Sequence, residues 1–455
     1  MENFRKNIAH MFFLLLGLFV AMALWFVWLA NDDVAAHPFN ARVNMEGAGL
    51  RGSIYDAQGL LLAYSDENGR HYPLGAHFAH VVGYSGMSRA GLELSQNFVL
   101  ERLSRELWQM AAAVIFDDEV RGNSIHTTLN ADVQSFLYNG MGGSRGAAVV
   151  LDVQTGGIVT MLSTPSFDPN RVTEDWSTLL ADGASPLLNR ASQGLYPPGS
   201  TFKLITALAA IEYDVSLLDF EMHCTGVAHF DGETLQCFGG NAHGYVDFMR
   251  AMALSCNAYF ASLAQMIDLE YLINAAENAG LFNQSPNVDF PAAMPLFAMQ
   301  ADASIDELIQ TAIGQGRTLA NPLNMVLFTA AIANDGALME PYLLASSVGA
   351  FGNVISTASP RSIGRLMTAE AAEILRLSMI QTVQAGTGTP AAQAHVQVAG
   401  KTGTAQNETG MDHSWFVGFA PADEPRYAIA IIIEGTGGGT RATQLAGNAL
   451  GRLLQ

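Results

Sequence analysis

Between Met11 and Ala30 the chain reads MFFLLLGLFVAMALWFVWLA, twenty residues without a charge. A run of about 20 apolar residues is what crosses a bilayer core as a helix, so the pattern predicts one transmembrane segment. Arg5 and Lys6 precede it and Asp32-Asp33 follow, which places residues 1–10 in the cytoplasm and everything after Ala30 outside. Trp25 and Trp28 suit the outer interfacial belt. A signal peptide cleaved at Ala21-Met22-Ala23 is the rival, but the apolar run continues to Leu29, which favours an uncleaved anchor.

Past the anchor the hydrophobic pattern shortens. RGSIYDAQGLLLAYSDENGR (51–70) alternates about a turn at Asp56-Ala57-Gln58-Gly59 and predicts a hairpin. The stretch from Tyr72 to Glu93 is Gly-rich and loop-like, and Glu101–Ala113 reads as a helix. Two apolar runs, Ala147–Leu151 and Ile158–Leu162, flank Gln154-Thr155-Gly156-Gly157 and predict a buried hairpin. Helical patterns dominate from Ser200 to about Gln384. Strands return at 414–420 and 426–434, and an amphipathic helix at about Ala442–Leu454 closes the chain. Strands at both ends around a helical middle imply an α+β fold, its sheet assembled from the two ends of the region.

Composition narrows the function. The formal net charge is −20, which disfavours nucleic acid as a partner. Cys224, Cys237 and Cys256 form no CxxC or Cys/His zinc spacing, and the histidines form no HExxH pair, so no metal or cofactor is expected. In an oxidising compartment Cys224 and Cys237 could bridge, leaving Cys256 free; three buried thiols are the alternative. Only three lysines occur, Lys6, Lys203 and Lys401, although lysine and arginine together number 22. Lysine is the cation that can be neutralised by burial and then act as a base.

Two of those lysines sit in suggestive surroundings. In YPPGSTFKLITALAA (196–210), Pro197-Pro198 end an extended stretch and a buried helix begins at about Ser200. Ser200 and Lys203, three apart, then share one helix face, so a desolvated Lys203 can take the proton of the Ser200 hydroxyl. Ser255-Cys256-Asn257 offers a hydroxyl and a carboxamide for proton relay and for gripping a substrate amide. In VAGKTGTAQ, Lys401, Thr402 and Thr404 offer a charge and donors for a carboxylate on a strand edge, with Gly403 leaving the backbone open to approach. Each motif alone is weak; a Ser-x-Asn tripeptide is usually a cap or turn.

In the order Ser-x-x-Lys, Ser-x-Asn, Lys-Thr-Gly, the set resembles the penicillin-recognising serine acyltransferases. RGSIYDAQGLLLA, AHVVGYSG, GLE (91–93), GAAVVLDVQTGGIVTMLSTPSFDPN, IGQG (313–316) and AGTGTPA (385–391) extend the resemblance to the class B penicillin-binding proteins, over about residues 50–435. The resemblance implies a small α+β membrane-proximal module over 31–140. It implies a transpeptidase domain over 141–455, with a central antiparallel sheet flanked by helices and an all-helical subdomain. By the same resemblance Ser200 is the nucleophile, Lys203 its base, and Ser255 and Asn257 the relay and clamp. Lys401, Thr402 and Thr404 would hold the terminal carboxylate, Gly403 would be a further substrate-binding position, and the backbone amides of Ser200 and Thr404 would form the oxyanion hole. The implied partners are peptidoglycan stem peptides, β-lactams and a SEDS-family glycosyltransferase in the bacterial membrane. A D,D-carboxypeptidase is the alternative, with a β-lactamase or a non-catalytic β-lactam-binding scaffold further off.

Overall fold

In the computed structural model the apolar strands from the two ends of the region meet in one sheet. The structure describes residues 2–31, 50–86, 88–101, 121–288, 290–350, 352–406 and 410–455. The sheet has five antiparallel strands in the spatial order Ala399–Ala405, His413–Ala420, Tyr427–Ile433, Gly146–Asp152, Ile158–Thr164. Its strands are buried almost throughout, because helices cover both faces. The period of two divides them between two cores. Ala428, Ala430 and Ile432 share a cluster with the helix Pro322–Ala333, whereas Ile429, Ile431 and Ile433 pack with Ala442, Leu445 and Ala446 of the helix Thr440–Leu453. Asn321 caps the first of these helices through the Asn324 amide at 2.8 Å, and Pro322 opens it where no N–H is needed. The strand carrying Lys401 lies at the sheet edge, as its sequence predicts.

The helical middle is interrupted. Short hairpins occupy Met222–Cys224 with Gly244–Val246 and Val227–Phe230 with Glu233–Gln236, so the subdomain beside the nucleophile helix is not all-helical. Strands Leu344–Val348 and Val354–Thr357 leave the middle and join Ser124–Thr127, Ile54–Tyr55, Leu61–Asp66 and Gly69–His71 in a six-stranded sheet. The hairpin expected around Asp56–Gly59 is present there. The Gly-rich stretch after it is not simply a loop, since Ala79–Val82 and Gly91–Ser95 form short helices. The helix expected over Glu101–Ala113 lies, past its first residue, outside the described residues.

Two quoted signatures explain each other here. Glu93 of GLE is fully buried and accepts from Arg51 of RGS at 2.5 Å and from Arg70 at 2.7 Å. Burial alone would raise its pKa, but the two guanidiniums outweigh burial and hold the carboxyl below its ordinary value. Gly52 is required because a Cβ there would come within 1.8 Å of the Asn123 carbonyl oxygen.

The N-terminal helix runs Glu2–Asn31, and its side chains from Met11 to Met22 are exposed. Among the described residues no helix is long and apolar enough to cross a membrane. Side chains on this helix are described only for residues 10–22, 24 and 25, so the span expected over 11–30 rests on its sequence.

Candidate active site

A cleft of about 960 Å³ opens where the sheet edge, the nucleophile turn and the Ser-x-Asn turn converge. Ser200, Ser255, Asn257, Thr387, Thr402 and Thr404 are among its lining residues. The three motifs, spread over two hundred residues of chain, are thus brought together.

Ser200 lies in a 3₁₀ turn, Gly199–Phe202, that leads into the helix Lys203–Tyr213. Gly199 has φ of +54°, and a Cβ on it would meet the Thr404 carbonyl oxygen at 2.6 Å. Both the backbone conformation and the close approach therefore demand glycine. The turn is further held by Trp415, which donates from Nε1 to the Pro197 carbonyl at 3.0 Å, and by the Gly199 amide, which donates to Gly314 of IGQG at 2.9 Å.

Lys203 is fully buried. Its Nζ donates to the Ser255 carbonyl at 2.7 Å and to Asn257 Oδ1 at 2.6 Å, and lies 3.2 Å from Ser255 Oγ. Desolvation lowers its pKa to about 7, with smaller opposing contributions from Cys256 and Cys237. A lysine at that value is neutral in about half of the molecules at neutral pH, and its lone pair can then accept a hydroxyl proton. Asn257 is oriented from both ends, since its Nδ2 donates to the Gln236 carbonyl at 2.8 Å and keeps a second proton. Ser255 sits at a φ of 57°, a strained conformation for a residue with a side chain.

Lys401 is also fully buried, with Nζ 3.0 Å from Ser255 Oγ and 3.0 Å from the Thr402 carbonyl. Desolvation, then the nearby charge of Lys203, lowers its pKa well below the ordinary lysine value. The cleft face of this strand belongs to Thr402 and Thr404, and Lys401 reaches it through the Ser255 hydroxyl. Gly403 also has a different role from the one its sequence suggested. A Cβ there would meet Trp415 Cβ at 2.9 Å, Thr201 Cγ2 at 3.0 Å and the Pro198 oxygen at 3.1 Å, so what approaches it is the protein's own nucleophile turn. The Thr404 carbonyl faces Gly199 and accepts from Gln315 Nε2 at 3.4 Å, away from the neighbouring strand. In a strand the N–H of a residue points to the same side as its C=O, so the Thr404 amide faces the Ser200 side.

Of the two alternatives for the cysteines, the structure shows three buried free thiols, with Cys224 Sγ and Cys237 Sγ 3.6 Å apart, against about 2.05 Å in a disulfide. Cys256 Sγ is 3.8 Å from Cys237 Sγ, and His243 Nδ1 is 3.6 Å from Cys224 Sγ. The four donor atoms lie within 4.8 Å of one another, a grouping that the sequence spacing does not reveal. Tetrahedral zinc with Zn–S bonds of about 2.3 Å has S–S edges of about 3.8 Å, so the set fits a structural Cys₃His centre. Cys256 is also the middle residue of the Ser-x-Asn motif, which ties this cluster to the cleft.

Comparison with known proteins agrees with the geometry. Residues 146–452 match the model of the penicillin-binding protein transpeptidase domain. The peptidoglycan D,D-transpeptidase PbpA of Mycolicibacterium smegmatis is 33% identical over 97% of this chain and 96% of its own length. The peptidoglycan D,D-transpeptidase MrdA of Acinetobacter baumannii is 32% identical over 83% of this chain and 65% of its own. Among solved structures, penicillin-binding protein A of Mycobacterium tuberculosis, as a ceftriaxone acyl-enzyme complex, superposes with a TM-score of 0.83 at 29% identity, covering 90% of this chain and 99% of that one. The D,D-transpeptidase domain of a peptidoglycan glycosyltransferase from Eggerthella lenta gives 0.81 at 33% identity, covering 89% and 98%. With three ordered motifs in one cleft and a family match over most of its length, the chain belongs to the penicillin-binding protein transpeptidase family, in its class B branch.

Proposed function

We propose that the chain cross-links peptidoglycan as a serine D,D-transpeptidase, with Ser200 as nucleophile. The observation that carries this is Lys203, three residues after Ser200, buried, poised to lose its proton and bonded to Ser255 and Asn257. Neutral Lys203 takes the Ser200 proton as Ser200 Oγ attacks the carbonyl between the two terminal D-alanines of a stem peptide. The Ser200 and Thr404 amides meet the developing oxyanion. The Ser255 hydroxyl, between the two lysines, returns a proton to the departing D-alanine. An amine of a neighbouring stem then attacks the ester and frees Ser200. A β-lactam enters the same first step, and its opened ring stays on Ser200 as an ester.

The two lysines share their work through the substrate. A terminal carboxylate beside Thr402 and Thr404 favours a charged Lys401. Charge on Lys401 in turn disfavours charge on Lys203, so binding the carboxylate delivers the base in its neutral form. Residues 11–30 anchor the chain in the bacterial membrane, with 1–10 cytoplasmic and the catalytic domain outside. The module at 31–140 and the anchor engage a SEDS-family glycosyltransferase that supplies the glycan strand.

The test is to give the full chain, purified in detergent, a D-Ala-D-Ala stem peptide with and without an acceptor amine. Release of D-alanine should rise with the acceptor, and a cross-linked dimer should form. Release that ignores the acceptor and yields only tetrapeptide makes the chain a D,D-carboxypeptidase instead.

The Cys224, Cys237, His243 and Cys256 cluster is read as a structural zinc site that holds the Ser-x-Asn turn in place. Purified protein should release about one equivalent of zinc on denaturation, read with a chromogenic chelator. Metal-free protein with Cys224 linked to Cys237 in non-reducing mass spectrometry overturns this reading and restores the disulfide.

A further inference from the structure

Thr387 belongs to none of the three motifs, yet it touches one of them and the end of the helix that leads into another. It follows Gly386, which ends the helix Ala369–Ala385 and packs so tightly that a Cβ would come within 2.2 Å of the Ala253 carbonyl oxygen. The Thr387 amide donates to that same carbonyl at 3.0 Å. Ala253 lies two residues before Ser255, at the end of the helix Phe248–Ala253. On its other side, Thr387 Oγ1 stands 2.6 Å from Thr402 Oγ1, and both side chains line the cleft.

Each hydroxyl has one proton to give. The Ala253 carbonyl already receives the Thr387 amide and is 3.4 Å from Thr387 Oγ1, a poor second acceptor. Either hydroxyl can donate in the 2.6 Å contact, and the poor Ala253 geometry favours Thr387 as the donor to Thr402 Oγ1. With that lone pair occupied, the Thr402 proton is directed away from Thr387, into the cleft where an anion would sit. Two aligned hydroxyls polarise one another, so the outer one is a stronger donor than an isolated threonine.

We infer that Thr387 is a positioning residue for the substrate's terminal carboxylate: it orients and strengthens the Thr402 donor, and through Ala253 it links that contact to the turn carrying Ser255. This rests on the transpeptidase reading above. It extends that reading by making preference for a free carboxylate depend on a residue outside the Lys-Thr-Gly strand.

The experiment compares second-order acylation of the full-length protein by benzylpenicillin and by its methyl ester, which differ only in the carboxylate. T387V removes the hydroxyl at nearly constant volume, and T387S restores it. The T387V rate with benzylpenicillin should fall roughly 3- to 10-fold, the range for one neutral hydrogen bond, while its rate with the ester stays within about twofold of wild type. T387S should recover most of the loss. In T402V, adding T387V should cost no further rate, because the donor it orients is gone. Equal losses with acid and ester would make Thr387 merely structural and overturn the inference, as would an unchanged rate with the acid. Failure of the wild-type protein to acylate at all would instead strike the transpeptidase reading, so the two outcomes are separable.

Discussion

Ser200→Ala should abolish covalent labelling by a fluorescent penicillin and leave the fold intact. The acyl bond is carried by one oxygen, and the neighbouring hydroxyls cannot substitute. Ser255 Oγ is held between Lys203 and Lys401 at 3.2 and 3.0 Å, and Thr402 and Thr404 line the cleft from the sheet-edge strand. The substitution deletes one hydroxyl of a partly buried residue, and the turn's geometry is held by other contacts. Those are the Gly199 amide to Gly314, Trp415 to Pro197, and Thr201 Oγ1, which donates to the Pro198 carbonyl at 2.7 Å. Denaturing gel electrophoresis after incubation reads the label, and circular dichroism reads the fold. Because the carboxylate donors survive, reversible binding of the drug should persist while the band disappears. Undiminished labelling of the folded variant would mean that another residue is the nucleophile.

How much of this site could be read beforehand depended on distance along the chain. Ser200 and Lys203 are only three residues apart, and the apolar residues around Lys203 announce its burial. The hairpin after Gly146 and the edge strand at Lys401 were legible for a related reason, since each is one unbroken apolar run beside turn residues. The missed features need contacts that no window contains. Cys224, Cys237, His243 and Cys256 are separated by 12, 5 and 12 residues and converge only because two small hairpins fold back beside the Ser-x-Asn turn. Those hairpins have strands of three or four residues, mostly solvent-facing, too short and too polar to stand out from a helical background. Leu344–Val348 was absorbed into the helical middle because its partner, Ser124–Thr127, lies more than two hundred residues earlier. Thr387 was visible as part of AGTGTPA, but a hydroxyl pair across two loops leaves no periodic trace. For Lys401 and Gly403 the sequence shows a strand and cannot show which side is packed against the nucleophile turn.

Acylation by benzylpenicillin should rise about tenfold per pH unit on the acid side of about pH 7 and level off above it, because the reactive species is the one with neutral Lys203. The sign follows from the pKa of Lys203, which desolvation lowers to about 7. Below that value Lys203 is an ammonium, whose three protons go to the Ser255 carbonyl, Asn257 Oδ1 and Ser255 Oγ, leaving no lone pair for Ser200. Above it the proton is gone and further alkali adds nothing. Lys203→Arg retains a cation in the pocket and cannot be deprotonated in this range. The rate should therefore drop at least ~10²-fold, the low end of a general-base contribution, and the rise near pH 7 should vanish from the profile. Lys203→Ala should lose as much, since the charge is not what the position supplies. Stopped-flow acylation of the three proteins between pH 5 and 9 (a range set by the about-7 midpoint), with folding verified at each pH, distinguishes this from a purely structural lysine. A structural lysine would give variants that are slow but keep the wild-type pH dependence, and an arginine variant better than the alanine one. Either result would move the base elsewhere, and Lys401, sharing the Ser255 hydroxyl at 3.0 Å, is the group placed to take the role.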